Sequence, residues 1–226
     1  MNIHEFAKLP LMGILRGVNR DEIEPVMEAV ILAGLETIEI TMNTLDAAGI
    51  VKKATSVAAG RMSVGAGTVL SMAELKIALE AGAEFIVMPV CIKEIMEYCV
   101  KNNIPVFPGA FTPQEVFNAW NYGATMVKVF PSGRFGPAYM KELKGPFDKV
   151  KLMAVGGVKE ENINDFFEAG ANAVAFGASV FKKEWSETKN FKAIQNLVAR
   201  YVVNVRDACR SRVSLGDIPT RDLENF

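Results

Sequence analysis

Lys128 stands inside the apolar run Met126-Val127-Lys128-Val129-Phe130, a place where an ammonium group gains nothing from water. If that run is a strand, Val127 and Val129 face one side and Lys128 the other. A lysine aimed into a protein interior is costly unless it is paired or neutral. An unperturbed lysine, with a pKa of about 10.4, is free amine in only roughly one molecule in a few thousand at neutral pH. Burial lowers that pKa and supplies a nucleophile. Glu39 poses the same problem in Thr37-Ile38-Glu39-Ile40-Thr41, whose odd positions share one face, and a carboxyl group placed inside beside an amine can move protons. Either the two do chemistry or they form a buried structural ion pair. Such a pair is weak evidence for stability, and interior strand positions favour the first reading.

Glycines mark a second group. Gly156-Gly157-Val158 precedes a helix starting near Glu160, and Gly177-Ala178-Ser179 follows another apolar run. Both leave backbone N–H groups open, and Ser179 adds a hydroxyl, an arrangement that suits phosphate. A plain tight turn also explains a Gly-Gly pair, but two glycine-bearing strand ends strengthen the phosphate reading. Arg16 can grip a carboxylate or phosphate with two hydrogen bonds, or stand as a solvated rim arginine. Thr68, after Gly65-Ala66-Gly67, gains meaning only from its company.

These residues need a frame. Eight short apolar runs alternate with stretches of helical period: Leu11 to Arg16, Thr37 to Met42, Ser63 to Val69, Phe85 to Val90, Val106 to Ala110, Met126 to Phe130, Lys151 to Val155 and Ala173 to Phe176. Helices are predicted over 21–33, 47–59, 72–81, 93–101, 113–122, 137–143, 160–169 and 191–209. Gly34, Gly82, Gly123 and Gly170 stand where a left-handed residue closes a helix before the next strand. Eight such units predict a single-domain α/β protein, a closed (β/α)8 TIM barrel over residues 1–210. No dinucleotide-type glycine turn follows the first run, which counts against an open doubly wound sheet. Residues 211–226 read as a polar tail, either disordered or packed on a neighbour. In a barrel the reactive groups gather at the carboxyl ends of the strands, where Arg16, Glu39, Asn43, Thr68, Lys128, Val155, Gly156, Gly157, Gly177 and Ser179 all fall.

Composition narrows the chemistry. In 226 residues, 25 basic and 26 acidic side chains nearly cancel, so no basic field draws in nucleic acid. No apolar run approaches the roughly 20 residues of a membrane span, and the start lacks a secretory core. A cytoplasmic protein is expected. Cys91, Cys99 and Cys209 are scattered, with no histidine near to complete a zinc set. His4 is the sole histidine, so an acid–base role falls to other residue types, and no metal or other cofactor is expected.

Taken together, Ile14-Leu15-Arg16, Glu39-Ile40-Thr41, Gly65-Ala66-Gly67-Thr68-Val69, Lys128-Val129-Phe130-Pro131 and Gly156-Gly157-Val158 resemble, in order and spacing, the 2-keto-3-deoxy-6-phosphogluconate (KDPG) aldolases, which include the 4-hydroxy-2-oxoglutarate (KHG) aldolases. The similarity spans roughly residues 9 to 205. It implies a metal-free class I aldolase, usually a homotrimer, that cleaves a phosphorylated keto sugar acid to pyruvate and glyceraldehyde 3-phosphate. Position by position, Lys128 matches the Schiff-base lysine and Glu39 the general acid/base. Thr68 matches the neighbour of the pyruvate portion, and Gly156, Gly157, Gly177 and Ser179 match the phosphate pocket. Asn43 and Val155 stand where the phosphogluconate type generally carries Arg and Thr. Losing that arginine leaves Arg16 to take the carboxylate, and losing the threonine removes a hydroxyl near C4, where the epimeric substrates differ. Both departures resemble the 6-phosphogalactonate (KDPGal) branch, as do Leu9-Pro10-Leu11, Phe135-Gly136-Pro137 and Ala154-Val155-Gly156. The alternatives that stay open are a 4-hydroxy-2-oxoglutarate aldolase and a phosphosugar-binding barrel without catalysis.

Overall fold

The computed structural model describes residues 1–182, 184–185 and 188–214, with side chains to residue 211. All strand pairings are parallel, and the hydrogen-bonded order is β5-β4-β3-β2-β1-β9-β8-β7-β6. The sheet starts with β1 (Leu11–Leu15), β2 (Thr37–Thr41), β3 (Ser63–Gly67) and β4 (Ile86–Val87). It continues through β5 (Val106–Phe107), β6 (Gly109–Ala110), β7 (Val127–Val129), β8 (Leu152–Val155) and β9 (Ala173–Phe176). The outermost members of this order, β5 and β6, are separated only by Pro108, so the sheet closes into the expected barrel. Nine segments appear where eight are expected because proline has no N–H to give to a ladder and interrupts the fifth strand. Its carbonyl still accepts from Lys128 N at 2.9 Å.

Helices α2 (Ile23–Leu32), α3 (Ala47–Ala58), α4 (Met72–Glu80), α5 (Lys93–Lys101), α6 (Pro113–Asn121), α7 (Gly136–Lys144) and α8 (Ile163–Glu168) follow the strands. Thr112 and Glu115 form a capping box at the start of α6. Gly34, Gly82, Gly123 and Gly170 have φ between +84° and +97°, the left-handed closure expected of them. The C-terminal helix α9 (Phe191–Ser214) runs beyond residue 210, where the polar tail is expected to begin, and the rest of that tail lies outside the described residues.

Strand alternation divides the core in two. Ile38, Ile40, Val127 and Val129 belong to the layer between strands and helices. Met12, Phe85, Phe107, Met126 and Met153 fill the barrel interior. The interior is closed from below by an unexpected element, α1 (Ile3–Lys8), capped by Asn2 Oδ1, which accepts from His4 N at 2.9 Å. Its Phe6 is 3% exposed and meets Phe107 edge-on at 6.0 Å. A helix of 6 residues is too short to show a period.

Candidate active site

Because Ile38, Ile40, Val127 and Val129 face the helices, Glu39 and Lys128 face the barrel interior, as alternation requires. Glu39 is 1% exposed and Lys128 6%. Space for the carboxyl group comes from Gly67 on the neighbouring strand: a β-carbon there would lie 2.5 Å from Glu39 Cδ. Glu39 Oε2 is buried without a hydrogen-bond partner among the described residues.

Burial raises the Glu39 pKa above the ordinary carboxylate range, and the charges of Lys128 and Arg16 oppose that rise. Burial lowers the Lys128 pKa below the ordinary lysine range; Glu39 opposes the fall and Arg16 adds to it. Each group is thus driven toward its neutral form by loss of water, with the other acting through space. A neutral amine is a nucleophile, and a carboxyl group of raised pKa keeps its proton to higher pH than an ordinary one, so it can give a proton as well as take one.

Above them opens a cavity of about 620 Å³, walled by Arg16, Thr68, Lys128 and Val155. Gly156, Gly157, Gly177 and Ser179 complete one side of it. The two glycines of the turn have φ +85° and +80°, and Gly133 N donates to Gly156 O at 2.7 Å. A β-carbon on Gly157 would meet Gly133 Cα at 2.5 Å, so glycine is required for approach as well as for conformation. Ser132, buried after β7, donates to Val129 O at 2.7 Å and accepts from Val155 N at 3.2 Å. That hydroxyl locks the strand of Lys128 to the strand of Val155. Arg16 is carried on a loop whose Gly17 N donates to Thr44 Oγ1 at 3.0 Å.

Two expected site residues are not on the cavity wall: Glu39, which is buried, and Asn43, which is exposed in the turn after β2. The wall also holds residues given no role from sequence. Phe130 shares the inward parity of Lys128, whose Nζ lies 5.4 Å from the ring centre. Lys159 follows Gly156-Gly157-Val158 and joins Arg16 as a second cation on the wall, beside the Lys128 amine, whereas among the described residues no acidic side chain lines it. Such a cavity suits a substrate with more than one negative charge. Among the described residues, no three His, Cys, Asp or Glu side chains are grouped to hold a metal ion.

Residues 3–197 match the family model described as KDPG and KHG aldolase. Over 197 residues the chain is 33% identical to the 2-dehydro-3-deoxy-6-phosphogalactonate aldolase of Escherichia coli K12, covering 86% of this chain and 96% of that protein. It is 31% identical over 207 residues to the 2-dehydro-3-deoxy-phosphogluconate aldolase of Haemophilus influenzae, covering 90% and 95%. A solved structure described as "Native KDPGal structure" superposes with a TM-score of 0.84 at 32% identity, covering 90% of this chain and 97% of that one. A fold, a cavity and a sequence that agree in this way lead to one conclusion: the chain belongs to the KDPG and KHG aldolase family.

Proposed function

We propose that this aldolase cleaves a 2-keto-3-deoxy-6-phospho sugar acid to pyruvate and glyceraldehyde 3-phosphate through an imine on Lys128. One observation carries the reading: an amine 6% exposed and a carboxyl group 1% exposed, both inside one barrel, the amine opening on a cation-lined cavity. The neutral Lys128 amine attacks the C2 carbonyl, and Glu39 passes protons as the carbinolamine forms and loses water. The resulting imine is cationic. Glu39 takes the C4 hydroxyl proton, the C3–C4 electron pair moves toward the imine, and the aldehyde departs from an enamine. Glu39 returns its proton to C3, and water releases pyruvate and regenerates the amine.

Arg16 and Thr68 hold the carboxylate end, and the wall formed by Gly156, Gly157, Gly177 and Ser179 holds the phosphate. The phosphate takes no part in bond breaking, so its binding orients the chain with C4 beside the acid/base. The 6-phosphogalactonate epimer is the favoured substrate. Val155 puts a methyl group, not a hydroxyl, on the wall, and the E. coli phosphogalactonate aldolase is among the similar proteins. Family resemblance alone supports a cytoplasmic homotrimer, and light scattering tests the trimer. Among the described residues, no helix is long and apolar enough to cross a membrane.

Pyruvate release coupled to lactate dehydrogenase, run with both C4 epimers and with 4-hydroxy-2-oxoglutarate, tests the reading. The phosphogalactonate epimer is expected to give the highest kcat/KM, undiminished by chelator. Preference for the unphosphorylated acid would reassign the substrate, and tight binding of either sugar acid without pyruvate release would leave only a binding protein.

A further inference from the structure

The hydroxyl of Ser179 is held from the far end of the chain. Tyr201 on α9 is 2% exposed, and its ring centre lies 4.9 Å from that of Phe176 at the end of β9. A buried phenol needs a hydrogen-bond partner, and here the hydroxyl donates to Ser179 Oγ at 3.2 Å. Ser179 in turn donates to Val158 O at 3.2 Å, the carbonyl next after the Gly156-Gly157 turn. The same helix also grips the segment that follows that turn: Arg200 Nε donates to Glu160 Oε2 at 2.8 Å, and Asn204 Nδ2 donates to Glu160 O at 3.1 Å. One face of α9 therefore ties together the two glycine-bearing strand ends.

A serine hydroxyl has one proton to give and lone pairs to receive. Ser179 spends its proton on Val158 O and receives one from Tyr201, so its oxygen is fixed in place on the cavity wall. An anion entering the cavity is a stronger acceptor than a carbonyl. Ser179 can turn its proton to that anion while Tyr201 keeps hold of the oxygen, and the bond received from Tyr201 makes Ser179 the better donor.

We propose that Tyr201 is a positioning residue for phosphate recognition, setting through Ser179 how strongly the enzyme prefers phosphorylated keto acids. This rests on the reading of the Gly156-Gly157 and Ser179 wall as the phosphate subsite. Tyr201→Phe keeps the ring and removes the hydroxyl, which donates to Ser179 and also has the Glu160 backbone N–H within reach. From the worth of one neutral hydrogen bond, the ratio of kcat/KM for the phosphorylated acid to that for 4-hydroxy-2-oxoglutarate is expected to fall about fivefold. The change should sit mainly in KM, and inhibition by inorganic phosphate should weaken in step. In a Ser179→Ala background, Tyr201→Phe is expected to change the ratio no further, because its effect runs through that hydroxyl.

An unmoved ratio in folded Tyr201→Phe, or the same loss in the Ser179→Ala background, would overturn the proposal. Should Tyr201→Phe not fold, Ser179→Ala alone must lower the ratio, and its failure to do so is equally fatal. Borohydride trapping of pyruvate by the parent enzyme separates the two levels. No trapping removes the imine reading, whereas trapping with an unmoved ratio removes only the role of Tyr201.

Discussion

Gly67→Ala should disarm the enzyme without replacing any reactive group. Gly67 ends β3 facing the Glu39 carboxyl group, and a β-carbon there would lie 2.5 Å from Cδ, 2.5 Å from Oε1 and 2.9 Å from Oε2. To regain an ordinary contact of 3.4 Å, the carboxyl group must retreat by about 0.9 Å, the difference between 3.4 and 2.5. Gly67 does not have a positive φ, so alanine adds a clash and no backbone strain. A misplacement of about 1 Å at a group that must meet a moving proton costs on the order of 100-fold in rate. Overpacking of a filled interior costs about 1–3 kcal/mol. The lactate dehydrogenase assay should therefore show kcat down about 100-fold, with cooperative thermal unfolding retained at a Tm lowered by roughly 2–12 °C. Adding Glu39→Asp draws the carboxyl group back by one methylene and should restore much of the stability while activity stays low. A folded Gly67→Ala enzyme with kcat within threefold of the parent would refute the reasoning. Stability that Glu39→Asp leaves unrestored would show that the clash lies elsewhere.

Two further outcomes follow from burial. The Glu39 pKa is raised in the folded protein, so its contribution to stability is fully present below the ordinary value of 4.5 and is lost as pH rises through the raised value. Urea denaturation should accordingly find Glu39→Gln gaining stability relative to the parent as pH climbs above 4.5, and a difference that is flat with pH would contradict the direction of that shift. At the opposite end of the barrel, Phe6→Ala should cost about 3–5 kcal/mol in the same measurement, because the ring is 3% exposed and closes the floor against Phe107; a loss under about 1 kcal/mol would mean that α1 is not a plug.

Lys128 and Glu39 were legible because alternation is a local signal: a charge at one parity between apolar neighbours at the other can face only the inside of a closed sheet. The helix-closing glycines were legible for a similar reason, since left-handed backbone is demanded residue by residue. Several features left no such trace. Pro108 interrupts β5 and β6 by its missing N–H, yet the surrounding apolar run reads as continuous. Ser132 and Tyr201 act through hydrogen bonds to Val155 and Ser179, 23 and 22 residues away along the chain. No local pattern encodes partners so distant. Asn43 stands just past a strand end, where a single exposed turn decides whether a side chain reaches the cavity. The inward direction of Phe130 follows from the same parity that singles out Lys128, although an aromatic in an apolar run draws no notice by itself.

The imine on Lys128 is the claim on which the rest depends. Incubation with pyruvate and sodium borohydride, followed by proteolysis and mass spectrometry, should place a reduced pyruvyl adduct on the peptide that carries Lys128. Activity should be lost in proportion to labelling, and a folded Lys128→Ala protein should neither label nor turn over. An adduct on another lysine, or full activity after borohydride treatment with pyruvate present, would contradict the account.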